Sequence, residues 1–295
     1  MRALVIGGAG FIGSSLVERL LAESWHVEVV DDLSTGSLDR LASARAGAAH
    51  TLRIHRHDIS DSTTADLVER AAPDRVFFLA DALGGPDPVR RIEVGVVGLV
   101  RVLEGARRLV EPPKVIKTVA AGDLHSTEST SAAVAEDVEP TATSPGTVAA
   151  VSAIAALRAY RTGSSVEHTV LVLADVYGPS MPVRGDLGIA LGAAVAGVGR
   201  LVDRGFDLIH LDDTVDALVR AASRGDGLVV NVSSGGVVPA AEVVAALTGL
   251  GATVELGGSP AGPTVPPLDN GRAQIHLGWT PFTPLGTGLG STVTV

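Results

Sequence analysis

A glycine-rich turn near the start of the chain constrains its fold more than any other feature. The apolar run 4–6 leads directly into a segment with glycine at positions 7, 10 and 13, and a helix-like segment opens at Ser14. Gly7 suits a tight turn, Gly10 lets the backbone approach a pyrophosphate, and Gly13 lets the helix pack closely on the strand. Free amides at the helix N-terminus then face the anion. The pattern predicts the strand, turn and helix of a dinucleotide-binding unit.

The next apolar run ends in Asp31 and Asp32, at the spacing where an acid accepts hydrogen bonds from an adenosine ribose. An acid at Asp31 repels a 2′-phosphate, which favours NADH over NADPH. Ser34, Thr35 and Arg40 follow closely and can soften that preference, so both cofactors stay open. The alternative is a glycine turn in a domain that has lost its ligand.

The predicted cofactor contacts lie in the glycine turn and at the carboxyl ends of the later strands. They are Gly7, Gly10, Phe11, Ile12, Gly13, Asp31, Asp32, Leu33, Ser34, Asp58, Ile59, Leu79, Ala80, Asp81, Thr118, Ala174 and Val176. For Asp58, a helix N-cap before residues 60–65 is an equally good interpretation.

Short apolar runs alternate with longer amphipathic segments through the first two thirds of the chain, which predicts βαβ units. The predicted strands are Ala3–Ile6, His26–Val30, Leu52–Arg56, Arg75–Leu79, Val115–Ala120 and Thr169–Leu173. The predicted helices are Ser14–Glu23, Ser37–Ala46, Thr63–Ala72, Pro88–Leu109 and Val148–Arg161. Six such strands make a doubly wound sheet.

From Val176 onward glycine and proline interrupt the alternation, although a strand and helix at 207–222 and a strand at 227–232 still follow. We therefore expect an α/β fold, a Rossmann-type doubly wound parallel sheet with a smaller C-terminal substrate-binding lobe. Residues 1–175, with 206–232 returning to them, form the predicted dinucleotide-binding domain. Residues 176–205 and 233–295 form the predicted lobe.

Composition excludes several classes of function. The 295 residues include no cysteine, so a disulfide framework, a thiolate nucleophile and a Cys-ligated zinc site are impossible. Thirty-three acidic against 23 basic residues give a net charge of −10, which repels nucleic acids and anionic membranes. His55 and His57 alternate along a strand without a third ligand at a suitable spacing, so we expect no metal. The expectation is a cytoplasmic protein, monomeric or homodimeric, that binds a small molecule.

Several separate motifs resemble the extended short-chain dehydrogenase/reductase family, which contains the nucleotide-sugar epimerases and dehydratases. They lie at residues 7–13, 30–36, 57–59, 73–80, 176–179, 210–213 and 277–279. The resemblance implies a Rossmann fold and hydride transfer at a nicotinamide ring. It also implies a Tyr with a Lys four residues later, and a Ser or Thr at the end of the fifth strand, as the proton relay.

That relay is missing from this sequence. The chain contains two tyrosines and two lysines, and Ser164 follows Tyr160 at the relevant spacing while Met181 follows Tyr177. The two possible alignments place Gly146 with Ala150, or Ala149 with Ala153, at the Tyr and Lys positions. Ala120 stands where the resemblance implies a hydroxyl. His125 is the best remaining candidate for a proton donor, because it titrates near neutrality.

A second departure concerns the substrate. The resemblance implies an Arg directly before the Asp of segment 206–213 to hold a diphosphate, and this chain has Phe206 there. An aromatic ring in place of the guanidinium favours a flat, apolar ligand. The predicted substrate contacts are Ala120, Tyr177 and Phe206, although the resemblance gives Tyr177 a mainly structural role.

Two hypotheses follow. The first is an atypical NAD(P)H-dependent ketoreductase that reduces a large aromatic, polyketide-like ketone, similar to the ketoreductases that tailor angucyclinones in antibiotic biosynthesis. Its proton comes from water, from His125 or from a hydroxyl of the substrate. The alternative is a non-catalytic dinucleotide-binding sensor or scaffold protein. An isomerase or dehydratase with bound NAD is weaker, since those reactions also need the missing base.

Overall fold

Seven strands form the central sheet. A computed structural model describes residues 1–48, 50–81, 87–125, 132–140, 144–260 and 265–293. The strands are β1 (Arg2–Ile6), β2 (His26–Asp31), β3 (Leu52–Arg56), β4 (Arg75–Phe78), β5 (Lys114–Ala120), β6 (His168–Leu173) and β7 (Leu228–Val232). Their order is β3-β2-β1-β4-β5-β6-β7, the order of a doubly wound nucleotide-binding sheet.

The pairs β1–β2, β1–β4, β2–β3 and β4–β5 run parallel. Parallel strands bury both faces under helices, and β1, β4 and β6 are accordingly buried over almost their whole length. All six predicted strands of the sheet are present, each within one residue of its predicted ends. The predicted strand at 227–232 becomes the seventh, at the edge next to β6.

The helices in chain order are α1 (Phe11–Ala22), α2 (Ala42–Gly47), α3 (Thr64–Ala71), α4 (Pro88–Ile92), α5 (Leu99–Ala106), α6 (Ala121–Leu124), α7 (Pro145–Ser164), α8 (Gly185–Ala196), α9 (Leu211–Ala221), α10 (Ala240–Gly249), α11 (Gly271–His276) and α12 (Leu285–Val293). A 3-10 turn at Leu38–Leu41 precedes α2. Among the described residues, no helix is both long and apolar enough to cross a membrane.

The helix predicted over Pro88–Leu109 is continuous but not uniform. A π-helical segment, Glu93–Gly98, joins α4 to α5. A methyl group added at Gly98 would lie 2.7 Å from Cγ2 of Ile59, so the helix backbone lies directly against the loop after β3. Wide turns of this kind frequently occur beside functional sites.

The chain divides into two compact units. The first comprises Met1–Val119, Pro140–Leu171 and Val215–Val230, and it holds most of the central sheet. The second comprises Ala120–Glu139, Val172–Thr214 and Asn231–Val295. The sequence predicts that one part binds the cofactor and the other binds the substrate. This assignment stays a prediction.

The second unit has a hydrophobic core of its own. Three two-stranded sheets support it: Asp175–Tyr177 with Leu208–His210, Gly205–Phe206 with Val238–Pro239, and Gly199–Leu201 with Val254–Leu256. Tyr177, Leu191, Phe206, Val243 and Leu289 pack together in this core. Its C-terminal segment is fixed by Asp213, whose carboxylate accepts hydrogen bonds from the amides of Phe282 and Thr283.

A buried histidine lies at the start of β6 in the first unit. His168 is 1% exposed, and neither ring nitrogen has a hydrogen-bond partner in the part of the chain that the structure describes. Burial, together with the nearby guanidinium groups of Arg161 and Arg158, lowers the pKa of His168 to about 4. The imidazole is therefore neutral at pH 7.

Candidate functional site

The glycine turn has the geometry that its sequence predicts. Gly7 adopts a φ of 81°, which only glycine tolerates easily, and its amide donates to the Val30 carbonyl at 2.8 Å. A methyl group added at Gly7 would lie 2.8 Å from the Ala80 nitrogen. One added at Gly13 would lie 2.1 Å from the Gly7 carbonyl oxygen. The close packing of β1, α1 and the loop after β4 therefore requires glycine at both positions.

Gly10 caps the N-terminus of α1. As a glycine, this N-cap residue has no side chain that could accept a hydrogen bond from the first amides of the helix. Phe11 and Ile12 form the first residues of the helix, and both are partly exposed. An anion at this end would accept hydrogen bonds from free amides and gain from the positive end of the helix dipole.

Asp31 joins the end of β2 to the glycine turn. Its Oδ2 accepts the Ala9 amide at 2.9 Å, and its Oδ1 accepts the Leu33 amide at 2.9 Å. Leu33 itself holds a left-handed φ of 63°, so this hydrogen bond supports a strained backbone. Burial raises the pKa of Asp31, and the two amide hydrogen bonds counter part of that rise. Asp31 therefore shapes the turn in addition to its predicted contact with a ribose.

Arg90, which the sequence pattern did not indicate, connects two predicted cofactor residues. Its guanidinium group lies 3.1 Å from Oδ2 of Asp32 and 2.8 Å from Oδ2 of Asp58. It also donates to Oγ of Ser60 at 3.0 Å. Burial alone would raise the pKa of Asp58, but hydrogen bonds from Ser60 and Arg90 outweigh it, so the pKa lies below its usual range. Arg90 is more than 25 residues from either acid, and no local spacing rule signals such a contact.

Asp58 does not cap a helix, although that was the alternative interpretation. Its Oδ1 accepts the amide and the hydroxyl of Ser60, which closes a turn after β3, whereas α3 begins only at Thr64. Ile59 beside it is buried. Ser34 donates its amide and hydroxyl to Asp32 in the same manner.

The first unit thus brings most predicted cofactor residues to the carboxyl edge of its sheet. Residues 7–13, 31–34, 58–59 and 79–81 all lie at or directly after the carboxyl ends of β1 to β4. Thr118 lies within β5 and its carbonyl accepts a hydrogen bond from Lys117. Ala174 and Val176 belong to the second unit. All of these cofactor contacts stay predictions.

The positions of the missing proton relay carry no functional group. Gly146 and Ala150 lie in the first turns of α7, and Ala149 and Ala153 of the other alignment are buried in the same helix. Ala120, at the end of β5, is partly buried. None of these five side chains can donate or accept a proton.

The tyrosines and lysines of the chain are engaged elsewhere. The Tyr160 hydroxyl donates to Glu104, and burial together with this carboxylate raises the pKa of Tyr160 to about 12. Lys114 pairs with Asp226, and Lys117 lies with its ammonium group 5.0 Å from the centre of the Phe78 ring. Burial raises the pKa of Tyr177 to about 12 as well. No lysine is therefore placed to lower the pKa of a tyrosine.

Three residues that the sequence predicts to contact the substrate or to donate a proton lie in the second unit. His125 directly follows α6, is buried, and has a pKa that burial lowers below 6.5. Phe206 is 3% exposed, with the Arg204 guanidinium carbon 4.9 Å from its ring centre. Tyr177 is 2% exposed and its ring lies 5.3 Å from that of His210. Both aromatic rings serve the core here, and their predicted substrate contacts stay predictions.

Metal binding has no support among the described residues, where no three His, Asp or Glu side chains group together as ligands. His55 hydrogen-bonds Glu28 at 2.7 Å, and His57 hydrogen-bonds Thr64 at 2.8 Å.

Comparison with known proteins agrees with this geometry. The model of the NAD dependent epimerase/dehydratase family matches residues 3–233. The UDP-glucose 4-epimerase of Mycolicibacterium smegmatis is 32% identical over 99% of this chain and 97% of its own length. The chain belongs to the NAD dependent epimerase/dehydratase family. The resemblance inferred from the motifs is thereby confirmed at the level of the family.

Solved structures of this family share the fold. A UDP-glucose 4-epimerase of Thermotoga maritima with UDP-glucose has a TM-score of 0.88 and 27% identity, covering 100% of this chain and 98% of that chain. A UDP-glucose 4-epimerase of Thermus thermophilus in complex with NAD has a TM-score of 0.86 and 24% identity, with the same coverage. The predicted Rossmann-type architecture is confirmed.

Proposed function

We propose that this member of the family is an atypical NAD(P)H-dependent ketoreductase. Its substrate would be a ketone on a large aromatic polyketide of the angucyclinone type, as formed in antibiotic biosynthesis. The observation that carries the proposal is an intact glycine turn combined with a relay that cannot move a proton, whether its Tyr and Lys positions are Gly146 and Ala150 or Ala149 and Ala153, with Ala120 at the hydroxyl position.

The residues of the first unit fit a dinucleotide. Gly7, Gly10 and Gly13 form a turn whose packing leaves no room for a side chain at Gly7 or Gly13, and the free amides of α1 suit a pyrophosphate. Asp31, Asp32 and Asp58 lie at the strand ends where the adenosine would bind. When bound, the reduced nicotinamide supplies the hydride. The UDP-glucose 4-epimerase of Thermus thermophilus, which shares this fold, has been solved in complex with NAD.

The missing relay favours ketone reduction over sugar epimerisation. An epimerase must first oxidise a secondary alcohol, and a base has to take the hydroxyl proton as the hydride leaves. Reduction of a ketone needs the reverse: the carbonyl carbon gains a hydride and the oxygen gains a proton. Water or a neutral phenol can provide that proton, whereas removal of a proton from a sugar alcohol at neutral pH needs a base held in the site.

A phenol of the substrate itself is the proton source that we favour. A hydroxyl hydrogen-bonded to the neighbouring carbonyl transfers its proton as negative charge develops on the oxygen, and the phenolate is reprotonated by water. The chain then has to supply only proximity and orientation. This route explains how the Tyr and Lys of the relay could be absent without loss of activity.

The second unit lacks the arginine that the resemblance implies for holding a diphosphate. Phe206 occupies the position for which the resemblance implies an arginine, and the neighbouring Arg204 lies 2.6 Å from Asp186 in a largely buried ion pair. A guanidinium group already paired with a carboxylate attracts a second anion weakly. The missing guanidinium group supports a substrate without a diphosphate.

Purified protein with NADPH or NADH should reduce a polycyclic aromatic ketone that carries a hydroxyl next to its carbonyl. The expected readout is loss of reduced-nicotinamide absorbance. The matched O-methyl ether should react at least about 100-fold more slowly, because an intramolecular general acid typically contributes that factor. Equal rates for both ketones would contradict the substrate as proton source. Interconversion of UDP-glucose and UDP-galactose in the presence of NAD would overturn the reductase proposal.

Substitution of His125 by phenylalanine separates the remaining proton routes. With a substrate phenol as donor, we expect the turnover rate to change less than about threefold, whereas loss of a general acid would lower it about 100-fold or more. The pH dependence of the rate is the second measurement, since His125 as donor would add a titration below pH 6.5. A large loss of rate in this variant would assign the donor to His125.

The second candidate function is a non-catalytic dinucleotide-binding sensor or scaffold. It rests on the same two observations, the intact glycine turn and the absence of the Tyr, Lys and hydroxyl of the proton relay. It predicts tight cofactor binding with no turnover of any ketone in the assay above.

A further inference from the structure

Asp175 is an exposed carboxyl group in an otherwise buried stretch of the chain. Every residue of β6 is buried, and so are Ala174 before Asp175 and Tyr177 after it. Asp175 itself is exposed. Among the described residues, none donates a hydrogen bond to its carboxyl oxygens. Water therefore reaches the carboxyl end of β6 at this side chain.

The backbone stays extended through Asp175. The Ala174 amide donates to the Val232 carbonyl of β7 at 3.0 Å, and the Asp175 amide donates to the Asp207 carbonyl at 3.0 Å. Successive amides thus have partners on opposite sides, as in any strand, and side chains alternate between the two faces. Asp175 therefore projects from the same face as Leu173, the last residue of β6.

The register of the neighbouring strand places Asp175 on the face of Ala120. The Val115 amide donates to the Glu167 carbonyl at 2.8 Å, which aligns Ala120 at the end of β5 with Leu173 at the end of β6. Neighbouring strands lie about 5 Å apart. Asp175 is two residues beyond Leu173, so its carboxyl group lies just past the sheet edge on the side of Ala120.

The other two predicted substrate contacts adjoin the same carboxyl group. Tyr177 follows Asp175 by two residues on the same short strand. Phe206 directly precedes Asp207, whose carbonyl accepts the Asp175 amide. Asp175 is thus an exposed, ionisable side chain next to Ala120, Tyr177 and Phe206.

The surroundings of Asp175 disfavour a second anion. Enclosure of its carboxyl group by the protein raises its pKa to about 6; the Arg204 guanidinium opposes this rise, and the carboxylates of Asp207 and Asp186 add to it. Arg204 is itself paired with Asp186 at 2.6 Å. The Asp175 carboxyl group is mostly ionised at pH 7.5, in surroundings where water screens its charge poorly.

We propose that the Asp175 carboxylate determines the charge of the substrate: it excludes phosphorylated substrates from the face of Ala120 and accepts a hydrogen bond from a hydroxyl of a neutral one. The inference rests on the proposed function only in placing the substrate on that face. A diphosphate beside a poorly screened carboxylate is repelled. A hydroxyl group, by contrast, donates a strong hydrogen bond to an ionised carboxylate.

The variant Asp175→Asn removes the charge and keeps the size of the side chain. Calorimetry with UDP-glucose measures the effect, with NADH in excess so that the glycine turn is occupied. The variant should bind UDP-glucose at least about 10-fold more tightly than the wild type, because one unit of repulsion is lost. Equal affinity of the two proteins, or tighter binding by the wild type, would overturn the proposal.

Glu255→Gln is the matched control. Glu255 is exposed in the same unit, on the strand Val254–Leu256, and its substitution removes the same charge. It should keep the wild-type affinity for UDP-glucose. The neutral probe is 1,8-dihydroxyanthraquinone, which Asp175→Asn should bind no more tightly than the wild type does. An equal gain in the Glu255 variant, or an equal gain for both probes in Asp175→Asn, would contradict a specific role of the Asp175 charge.

The pH dependence of binding is an independent measurement. UDP-glucose keeps its two negative charges between pH 7.5 and 5.5, whereas Asp175 takes up a proton over this range. Wild-type affinity should therefore rise as the pH falls. Asp186, Asp207 and Arg204 are the other charged groups that act on this carboxyl group, and all three remain in Asp175→Asn. The variant should show a smaller pH dependence, and identical profiles would contradict the assignment.

The outcome does not depend on ketone reduction. A selective gain of UDP-glucose affinity in Asp175→Asn supports the role of Asp175 even if no ketone is reduced. Ketone reduction by the wild type, together with unchanged UDP-glucose affinity in the variant, would overturn that role and leave the reductase standing.

Discussion

Replacing Gly13 by alanine is expected to weaken dinucleotide binding by about 10- to 100-fold and to destabilise the first unit by about 2 kcal/mol. The added methyl group would lie 2.1 Å from the Gly7 carbonyl oxygen and 2.8 Å from Cα of Gly8. Both are backbone atoms of the turn itself, so the clash is relieved only when α1 moves away from β1. That movement displaces the helix amides from the position of the pyrophosphate. Calorimetry with NADH and NADPH, together with urea denaturation, measures both effects.

Gly163→Ala provides the control for this substitution. Gly163 lies in the last turn of α7, and nothing approaches within 4 Å of a methyl group added there. Alanine in a helix is favoured over glycine by about 0.5–1 kcal/mol, so this variant should be neutral or slightly more stable with unchanged cofactor affinity. Wild-type affinity in the Gly13 variant would mean that the turn does not hold the dinucleotide.

The second large effect is a loss of stability at acidic pH caused by His168. In the unfolded chain this side chain takes up a proton near its ordinary pKa of 6.5, whereas in the folded chain its pKa is about 4. Between these values the unfolded state binds more protons, so the free energy of unfolding decreases as the pH falls. A pKa shift of this size corresponds to a loss of about 3 kcal/mol in the free energy of unfolding. This loss is complete by about pH 4, and it does not occur above pH 7.

His168→Leu should remove that component of the pH dependence. Leucine fills the buried space without two unpartnered ring nitrogens, so the variant should be more stable than wild type at pH 5 and at least as stable at pH 7. Urea denaturation at pH 7, 5.5 and 4.5 gives the comparison. His26→Gln, at an exposed position at the start of β2, is the control and should keep the wild-type dependence. An unchanged pH dependence in the leucine variant would contradict the assignment to His168.

The sequence predicted the features that local chemistry determines. The turn at Gly7, Gly10 and Gly13 follows from conformational requirements of neighbouring residues, and strand ends within one residue of prediction follow from short apolar runs. The hydrophobic pattern predicts that α7 begins at Val148, three residues after its actual start at Pro145. Ser144 accepts the Thr147 amide and Pro145 occupies the first turn, a local capping signal that the hydrophobic pattern did not reveal.

Features that depend on long-range packing were not predicted. The contact of Arg90 with Asp32 and Asp58 joins the beginning of α4 to the ends of two strands far away in sequence. Phe206 and Tyr177 both lie in the core of the second unit, and their substrate contacts stay predictions. An aromatic residue has the same local signature in a core and in a binding site, so the sequence could not show that both rings are buried.

The π-helical segment Glu93–Gly98 determines the rotation of α4 about the helix axis relative to α5. Each residue of an α-helix rotates the chain by about 100°, so one wide turn shifts the phase of α4 relative to α5 by roughly that angle. Removing a single residue from this segment would restore a regular helix and rotate Arg90 away from Asp32 and Asp58. The number of residues between 93 and 98, more than their identity, therefore determines whether Arg90 lies beside Asp32 and Asp58.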